Sequence, residues 1–184
     1  MIHTRTLHLS NYLPAWGDAI AAWVMSDQDL RWLAPGTVPP LTGEKITAWK
    51  KPGGASLVGF EANAKFPVAY GELNPMQTEA NHFWIGHVVV DSSSRGRGVG
   101  RLFVRKLLEE AFYRQEARRV SLVVFPENGA AVHCYQRCGF RIVGDERHRF
   151  LPGGPRHRLL RLEADSSVFT SKKSPRHTSV SAGR

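Results

Sequence analysis

The chain has 184 residues, 42% of them hydrophobic, and a formal net charge of +9. That length and hydrophobic content give one globular domain with a sizeable core and exclude a disordered chain. No apolar run approaches the ~20 residues that cross a bilayer, and Met1-Ile2-His3-Thr4-Arg5 has no apolar signal core behind it. No membrane partner and a cytoplasmic location are therefore expected.

Residues 4–10 alternate weakly through Leu7 and Leu9 and predict a first strand. Pro14 opens a helical pattern with Ala15, Ile20, Trp23 and Val24, and a second short helix covers Asp27 to Leu33. Ala34-Pro35-Gly36 to Pro39-Pro40 is loop, after which Thr42 caps a third helix holding Ile46 and Trp49. Ser56 to Glu61 and Pro67 to Leu73 read as two strands, with the turn near Asn63. Phe83 to Val90 is a mostly apolar run rich in β-branched residues and reads as a buried strand. A glycine-rich turn follows, then a helix with an apolar face of Leu102, Phe103, Leu107, Leu108, Ala111 and Phe112. Val120 to Phe125 is the next strand, so strand, helix and strand form a βαβ unit with two parallel strands. A helix over Gly129 to Arg137 and strands over Phe140 to Gly144 and Arg158 to Glu163 complete the body.

The body spans residues 1–165. Residues 166–184 form a tail rich in Ser, Lys and Pro, expected to be disordered. Lys172, Lys173, Arg176 and Arg184 supply four of the nine net positive charges, leaving five on the body. A modestly basic body suits a polyanionic ligand, small molecule or nucleic acid, and charge alone does not choose between them. Cys134 and Cys138 lie one helical turn apart with nearly parallel side-chain directions, so they read as reduced thiols. With His133 beside them they still lack a second ligand pair, and no metal is expected.

The helix after Val90 is charged against its own dipole. Arg97, Arg101, Arg105 and Lys106 come first, and Glu109, Glu110 and Glu116 come later, where the dipole favours the opposite order by ~0.3–1 kcal/mol per charge. An anion at the helix N-terminus reverses that sign, and Gly96, Gly98 and Gly100 clear side chains from the N–H groups it would need. The bland alternative is a tight turn with solvated arginines. The spacing Gly-x-Gly-x-Gly is neither a P-loop nor the dinucleotide fingerprint.

Two spaced motifs carry a family resemblance. Arg95-x-x-Gly98-x-Gly100 follows a strand, and Asn128-x-x-Ala131-x-x-x-Tyr135-x-x-x-Gly139-Phe140 begins 28 residues after Gly100. Together they resemble the GNAT superfamily of N-acetyltransferases, from about Phe83 to Val143. The resemblance implies an α/β fold with a mixed, mostly antiparallel sheet and a central splayed parallel pair flanked by helices. It implies that Arg95, Gly96, Arg97, Gly98, Val99, Gly100 and Arg101 hold the pyrophosphate of acetyl-CoA. The pantetheine arm would run along Val88, Val89 and Val90, with Asn128 and Ala131 beside it. Tyr135 would stand at the sulfur as general acid. Asn128 also reads as a plain helix cap, Tyr135 as a core aromatic and the valines as core. Ser92 stands where the family often has proline.

The implied reaction is direct attack of an amine on the thioester, without a covalent enzyme intermediate. The first parallel strand, Phe83-Trp84-Ile85-Gly86-His87-Val88, lacks the carboxylate its relatives commonly carry. The base is then His87, Glu72 from the preceding strand, or a water chain. A strand alternates its faces, so His87 and Val88 share the site only if Gly86 supports a bulge. Expected partners are acetyl-CoA and an amine acceptor (small amine, peptide N-terminus or lysine), with the chain a monomer or homodimer. The resemblance implies an acceptor site made by the N-terminal helices and the strand hairpin, which hold Trp23, Trp32, Trp49 and Trp84, residues that read more often as core or lid than as a ligand cage. Two rivals stay open. One is an acyl-CoA-binding protein without chemistry. The other is a basic nucleic-acid-binding module, against which the arginines cluster at one turn instead of along a face.

Overall fold

The computed structural model describes residues 6–171. The expected start of the first strand at Thr4 and the four cationic tail residues lie outside them. Seven strands form one sheet: β1 (Leu7–Asn11), β2 (Ala55–Glu61), β3 (Ala69–Pro75), β4 (His82–Val90), β5 (Arg119–Val124), β6 (Arg141–Arg149) and β7 (Arg156–Asp165). Their spatial order is β1-β2-β3-β4-β5-β7-β6. Every neighbouring pair is antiparallel except β4 and β5. The helix between those two strands crosses over the sheet, which is what a parallel pair requires.

The helices are α1 (Gly17–Ala21), α2 (Asp27–Leu33), α3 (Gly43–Ala48), α4 (Val99–Glu109), α5 (Gly129–Cys138) and α6 (Ser166–Ser171). Thr42 caps α3 as expected, accepting from the Lys45 N–H at 3.3 Å, and Ser26 caps α2 in the same way. The helix expected to run from Pro14 through Val24 is broken. Pro14–Trp16 is a 3₁₀ turn and α1 ends at Ala21.

The two sheet faces are covered separately. On one, α4 lays Val99, Phe103, Val104, Leu107 and Leu108 over Leu73, Ile85, Val120, Leu122 and Leu162. Each such side chain contributes roughly 1.5–3 kcal/mol on burial. On the other, α1 and α3 place Ile20 and Ile46 over Val58, Phe60, Tyr70 and Val89. The α4 face runs on through Ala111 and Phe112 in a π-helical turn, Glu110–Arg114.

The parallel pair is short. β4 and β5 register only over His82↔Arg119, Phe83↔Val120 and Trp84↔Ser121, and no pairing continues beyond Trp84. Half of β4 therefore faces a cleft, and Trp84, Gly86, His87, Val88 and Val90 are only half-buried. The sequence reading of a wholly buried strand is corrected here. An apolar run serves a ligand cleft as well as a core, and periodicity does not separate the two.

The terminal strands are longer than expected. Asp145 to Arg149 look like loop in composition but continue β6, because Arg158 pairs with Asp145 at 2.9 Å and Arg161 with Glu146 across the hairpin. The boundary at residue 166 also moves. α6 follows β7 directly, and Phe169 packs on Phe112 and Tyr113 at centroid distances of 5.3 and 6.0 Å. The expectation of disorder from Ser166 fails for this first turn because one aromatic side chain finds an apolar seat.

Candidate active site

The chain leaves β4 through a 3₁₀ turn, Ser92–Ser94, and enters Arg95-Gly96-Arg97-Gly98. Gly96 and Gly98 adopt φ of 72° and 80°, the left-handed region in which side chains are strained. A Cβ built on either meets nothing within 4 Å, so the space beside them is open. Gly98 is the N-cap of α4 and supplies no side-chain cap, and the first turn holds no acid. The N–H groups of Val99, Gly100 and Arg101 therefore have no intrahelical acceptor and point out of the helix start. Gly100 packs near β4 and α5. Its Cβ position is 3.5 Å from Val90 Cγ2 and 3.8 Å from Cys134 Sγ.

Arg95 has a different task from its neighbours. Its guanidinium donates to Asp29 at 2.9 Å, to the Trp23 carbonyl at 2.6 Å and to the Val90 carbonyl at 3.2 Å. Two of its five donors thus brace the turn against α2 and the link that precedes it, and a third ties it back to the end of β4. The side chain fixes the turn's position while remaining on the wall of the cleft.

One cleft of about 880 Å³ runs from this turn along the exposed edge of β4. Val88, Val89, Val90, Gly96, Gly98, Val99, Gly100 and Arg101 line it. So do Asn128, Ala131 and Tyr135 on the α5 side, and Glu72, His87 and Arg95 opposite. Arg97 alone among the expected site residues is not on its wall. Asn128 does cap α5, accepting from the Ala131 N–H at 3.2 Å, but that uses only its amide oxygen. The cap and the ligand reading are compatible.

The base candidates meet in one unit. β3 and β4 slip register so that His87 and Val88 lie opposite the single residue Gly71. This is the expected bulge, and His87 takes the strained φ of 47° within it. A Cβ on Gly71 would stand 3.0 Å from Phe103 and 3.3 Å from Val88, so the bulge is built over a glycine. The turn sends the imidazole to the Tyr70 and Glu72 face of the sheet. His87 Nδ1 lies 3.0 Å from Glu72 Oε1. Glu72 is 1% exposed and also accepts from Tyr70 Oη at 3.1 Å and Asn74 Nδ2 at 3.3 Å. Burial, then the Glu72 charge, pushes the Tyr70 phenol far above its ordinary range, so it stays a donor. Trp49 stacks on the imidazole with centroids 4.1 Å apart. His87 and Glu72 read as alternatives from sequence. In the fold they are ring and orienting carboxylate of one pair.

Tyr135 lies edge-on to Phe140, with centroids 5.8 Å apart. Burial, and then the neighbouring Cys134 and Cys138, pushes its phenol above the usual range. Both cysteines are free thiols. Among the described residues no three His, Cys, Asp or Glu side chains converge to hold a metal ion. No helix among them is long and apolar enough to cross a membrane.

Sequence reasoning named Trp32 and Trp84 for the acceptor region but missed Arg161, His148 and Phe150 at the far end of the cleft. Trp84 carries Arg161 over its ring, with Cζ 5.6 Å from the centroid. His148 and Phe150 reach the wall from the β6–β7 hairpin. No local signal marks these residues. They come together only because β7 inserts between β5 and β6.

A splayed parallel pair, a left-handed glycine turn at a helix start and a histidine–carboxylate pair in one cleft define an acyl-transfer scaffold of the GNAT type. The chain belongs to the acetyltransferase (GNAT) family, whose model matches residues 19–140. It is 29% identical over 89 residues to the spermine/spermidine N(1)-acetyltransferase of Bacillus subtilis (strain 168), and equally to a probable spermine N(1)-acetyltransferase of Bacillus subtilis subsp. natto (strain BEST195). Each match covers 48% of this chain and 55% of the relative, so the chain spans about half the length of these curated relatives. Among solved structures, the spermidine N-acetyltransferase from Vibrio cholerae in complex with CoA and spermine superposes with a TM-score of 0.73 at 17% identity, covering 90% of this chain and 98% of that one. AAC(6')-Ib in complex with ribostamycin and coenzyme A gives 0.74 at 16%, covering 92% and 98%. At these identities the likeness shows the fold.

Proposed function

We propose that the protein transfers the acetyl group of acetyl-CoA directly to a primary amine. The observation that carries this reading is the single cleft joining the glycine turn to the Glu72–His87 pair and Tyr135. The amine acetylation named for the curated relatives, and the CoA and spermine bound by the Vibrio cholerae neighbour, point the same way.

Bound acetyl-CoA supplies a thioester, an acyl group activated toward amines. The N–H groups of Val99, Gly100 and Arg101, with the Arg101 side chain, hold the pyrophosphate. This also resolves the inverted charge order of α4, since the anion adds the negative charge its N-terminus lacks. The backbone of Val88 to Val90, unpaired toward β5, offers its polar groups to the pantetheine amides. Asn128 contributes its amide.

Glu72 accepts the Nδ1 proton of His87, which leaves Nε2 as the acceptor for a proton from the substrate ammonium. The freed amine nitrogen bonds the acyl carbon, and a backbone N–H near Val88 stabilises the oxyanion. The carbon–sulfur bond then breaks with its electron pair on sulfur, and the proton still in excess on nitrogen passes to that thiolate. Tyr135 serves this step as a hydrogen-bond donor. Its raised phenol is a weaker acid than a thiol, so it keeps its own proton and stabilises the leaving sulfur.

Two measurements test the reading together. Acetyl-CoA at a hundred times its Kd should stabilise the fold by about 2.7 kcal/mol, read as a rise in Tm. Amines should then release free thiol from acetyl-CoA. No Tm shift at millimolar acetyl-CoA, with no thiol release across an amine panel, refutes it.

A further inference from the structure

We infer that the acceptor carries one amine on an aromatic or bulky apolar body and is not a polycation. This rests on the acyl-transfer reading above and deepens it.

The acceptor end of the cleft is walled by Trp32, Leu33, Pro35, Trp84, Phe150 and Leu159. The exit of α2 closes on the hairpin there, with a Cβ on Gly36 placed 3.5 Å from the Phe150 carbonyl. A polycation with several ammonium groups needs carboxylates spaced along such a cleft. The carboxylates near this one already face cations or donors. Glu72 accepts from His87, Tyr70 and Asn74. Glu146 binds Arg161 and, at 2.6 Å, His148. Glu163 lies between Arg119 at 3.6 Å and Arg161 at 3.7 Å, and Asp29 holds Arg95.

Aromatic walls can also hold cations on their ring faces. Here those faces are used. Arg161 stands over Trp84, and His148 stacks on Phe150. A second ammonium over Trp84 would meet a guanidinium. Lys51 adds a further cation on the cleft wall, and among the described residues it forms no ion pair. One ammonium finds its acceptor at His87. The remainder of the molecule meets aromatic and aliphatic carbon and positive charge, which rejects additional ammonium groups and receives an apolar body.

The experiment compares 2-phenylethylamine with spermine as acceptors, with acetyl-CoA saturating and thiol release as the readout. The full chain should give the aromatic monoamine a kcat/KM higher by roughly 10- to 200-fold, the range one hydrophobic pocket supplies. Trp84→Ala should remove most of that advantage while acetyl-CoA still raises Tm, which shows the fold intact. Lys51→Glu should raise kcat/KM for spermine by a larger factor than for 2-phenylethylamine. Preferential turnover of spermine overturns the inference. So does turnover of neither amine by a protein that still binds acetyl-CoA. Loss of both acetyl-CoA binding and turnover instead removes the acyl-transfer reading on which the inference stands.

Discussion

Glu72→Gln tests the arrangement at its most constrained point. The buried carboxylate receives donors on both oxygens, with Tyr70 and His87 at Oε1 and Asn74 at Oε2. A glutamine has the same shape but only one acceptor oxygen. If that oxygen faces Tyr70 and His87, the amide NH₂ meets the Asn74 NH₂. If it faces Asn74, the NH₂ meets the Tyr70 hydroxyl and the imidazole. Either way at least one buried donor loses its acceptor, at about 1–3 kcal/mol. For a domain of this size that is a fall in Tm of roughly 2–12 °C. The first orientation keeps Nε2 free but weakens the orienting bond from charge-assisted to neutral, a loss of about 1–2 kcal/mol, or roughly 5- to 30-fold in kcat/KM. The second favours the tautomer protonated on Nε2 and abolishes the base, with a far larger loss. Melting curves and thiol-release rates as a function of pH separate these outcomes. His87→Ala should lower kcat/KM by roughly 10²–10⁴-fold, the contribution of a positioned base. A Glu72→Gln protein with unchanged Tm and unchanged kcat/KM would refute the assignment. A His87→Ala protein with unchanged kcat/KM would move the base elsewhere.

Gly98→Val places a β-branched residue at φ 80° and should destabilise the fold by roughly 1–2 kcal/mol. The larger effect is loss of the acetyl-CoA-induced Tm shift, since the side chain enters the open space over the helix start. Tyr135→Phe should lower kcat by roughly 10²–10³-fold with little change in the KM for acetyl-CoA, as expected for one lost donor to a developing charge; an unchanged kcat would reduce Tyr135 to packing. Truncation after Asp165 removes Phe169 from Phe112 and should lower Tm, and Phe169→Ala in the full chain should reproduce much of that loss. Burial works against ionisation of Glu146, but His148 and Arg161 outweigh it and hold the carboxyl below its ordinary range. Its stabilising effect is thus present above the unfolded-state pKa and lost as pH falls through the lower folded value. Glu146→Gln should therefore cost stability at neutral pH and almost none in strong acid, as measured by urea unfolding at each pH.

The sequence by itself determined the parts governed by local chemistry. Thr42 caps its helix because a hydroxyl there has a backbone N–H three residues on. The βαβ unit followed from periodicity. The glycine turn followed from its glycine spacing and from a charge order that an anion at the helix start would reverse, and Gly96 and Gly98 proved to hold left-handed backbone. Asn128 and Tyr135 fell on the cleft because their spacing sets them on one face of α5.

Tertiary structure decided what depends on distant strands. The same apolar run in β4 is core if β5 stays paired and cleft wall if it leaves at Trp84, and only the register shows that it leaves. Arg95 became a brace because Asp29 and the Trp23 carbonyl, far away in sequence, arrive beside it. His87 and Glu72 could be weighed only as rivals until a bulge opposite Gly71 turned the ring onto the face of the carboxylate. The acceptor wall was legible only as scattered tryptophans for the same reason. Trp32, Trp84 and Phe150 share no segment and no period, and they meet only where α2, β4 and the last hairpin close on one space.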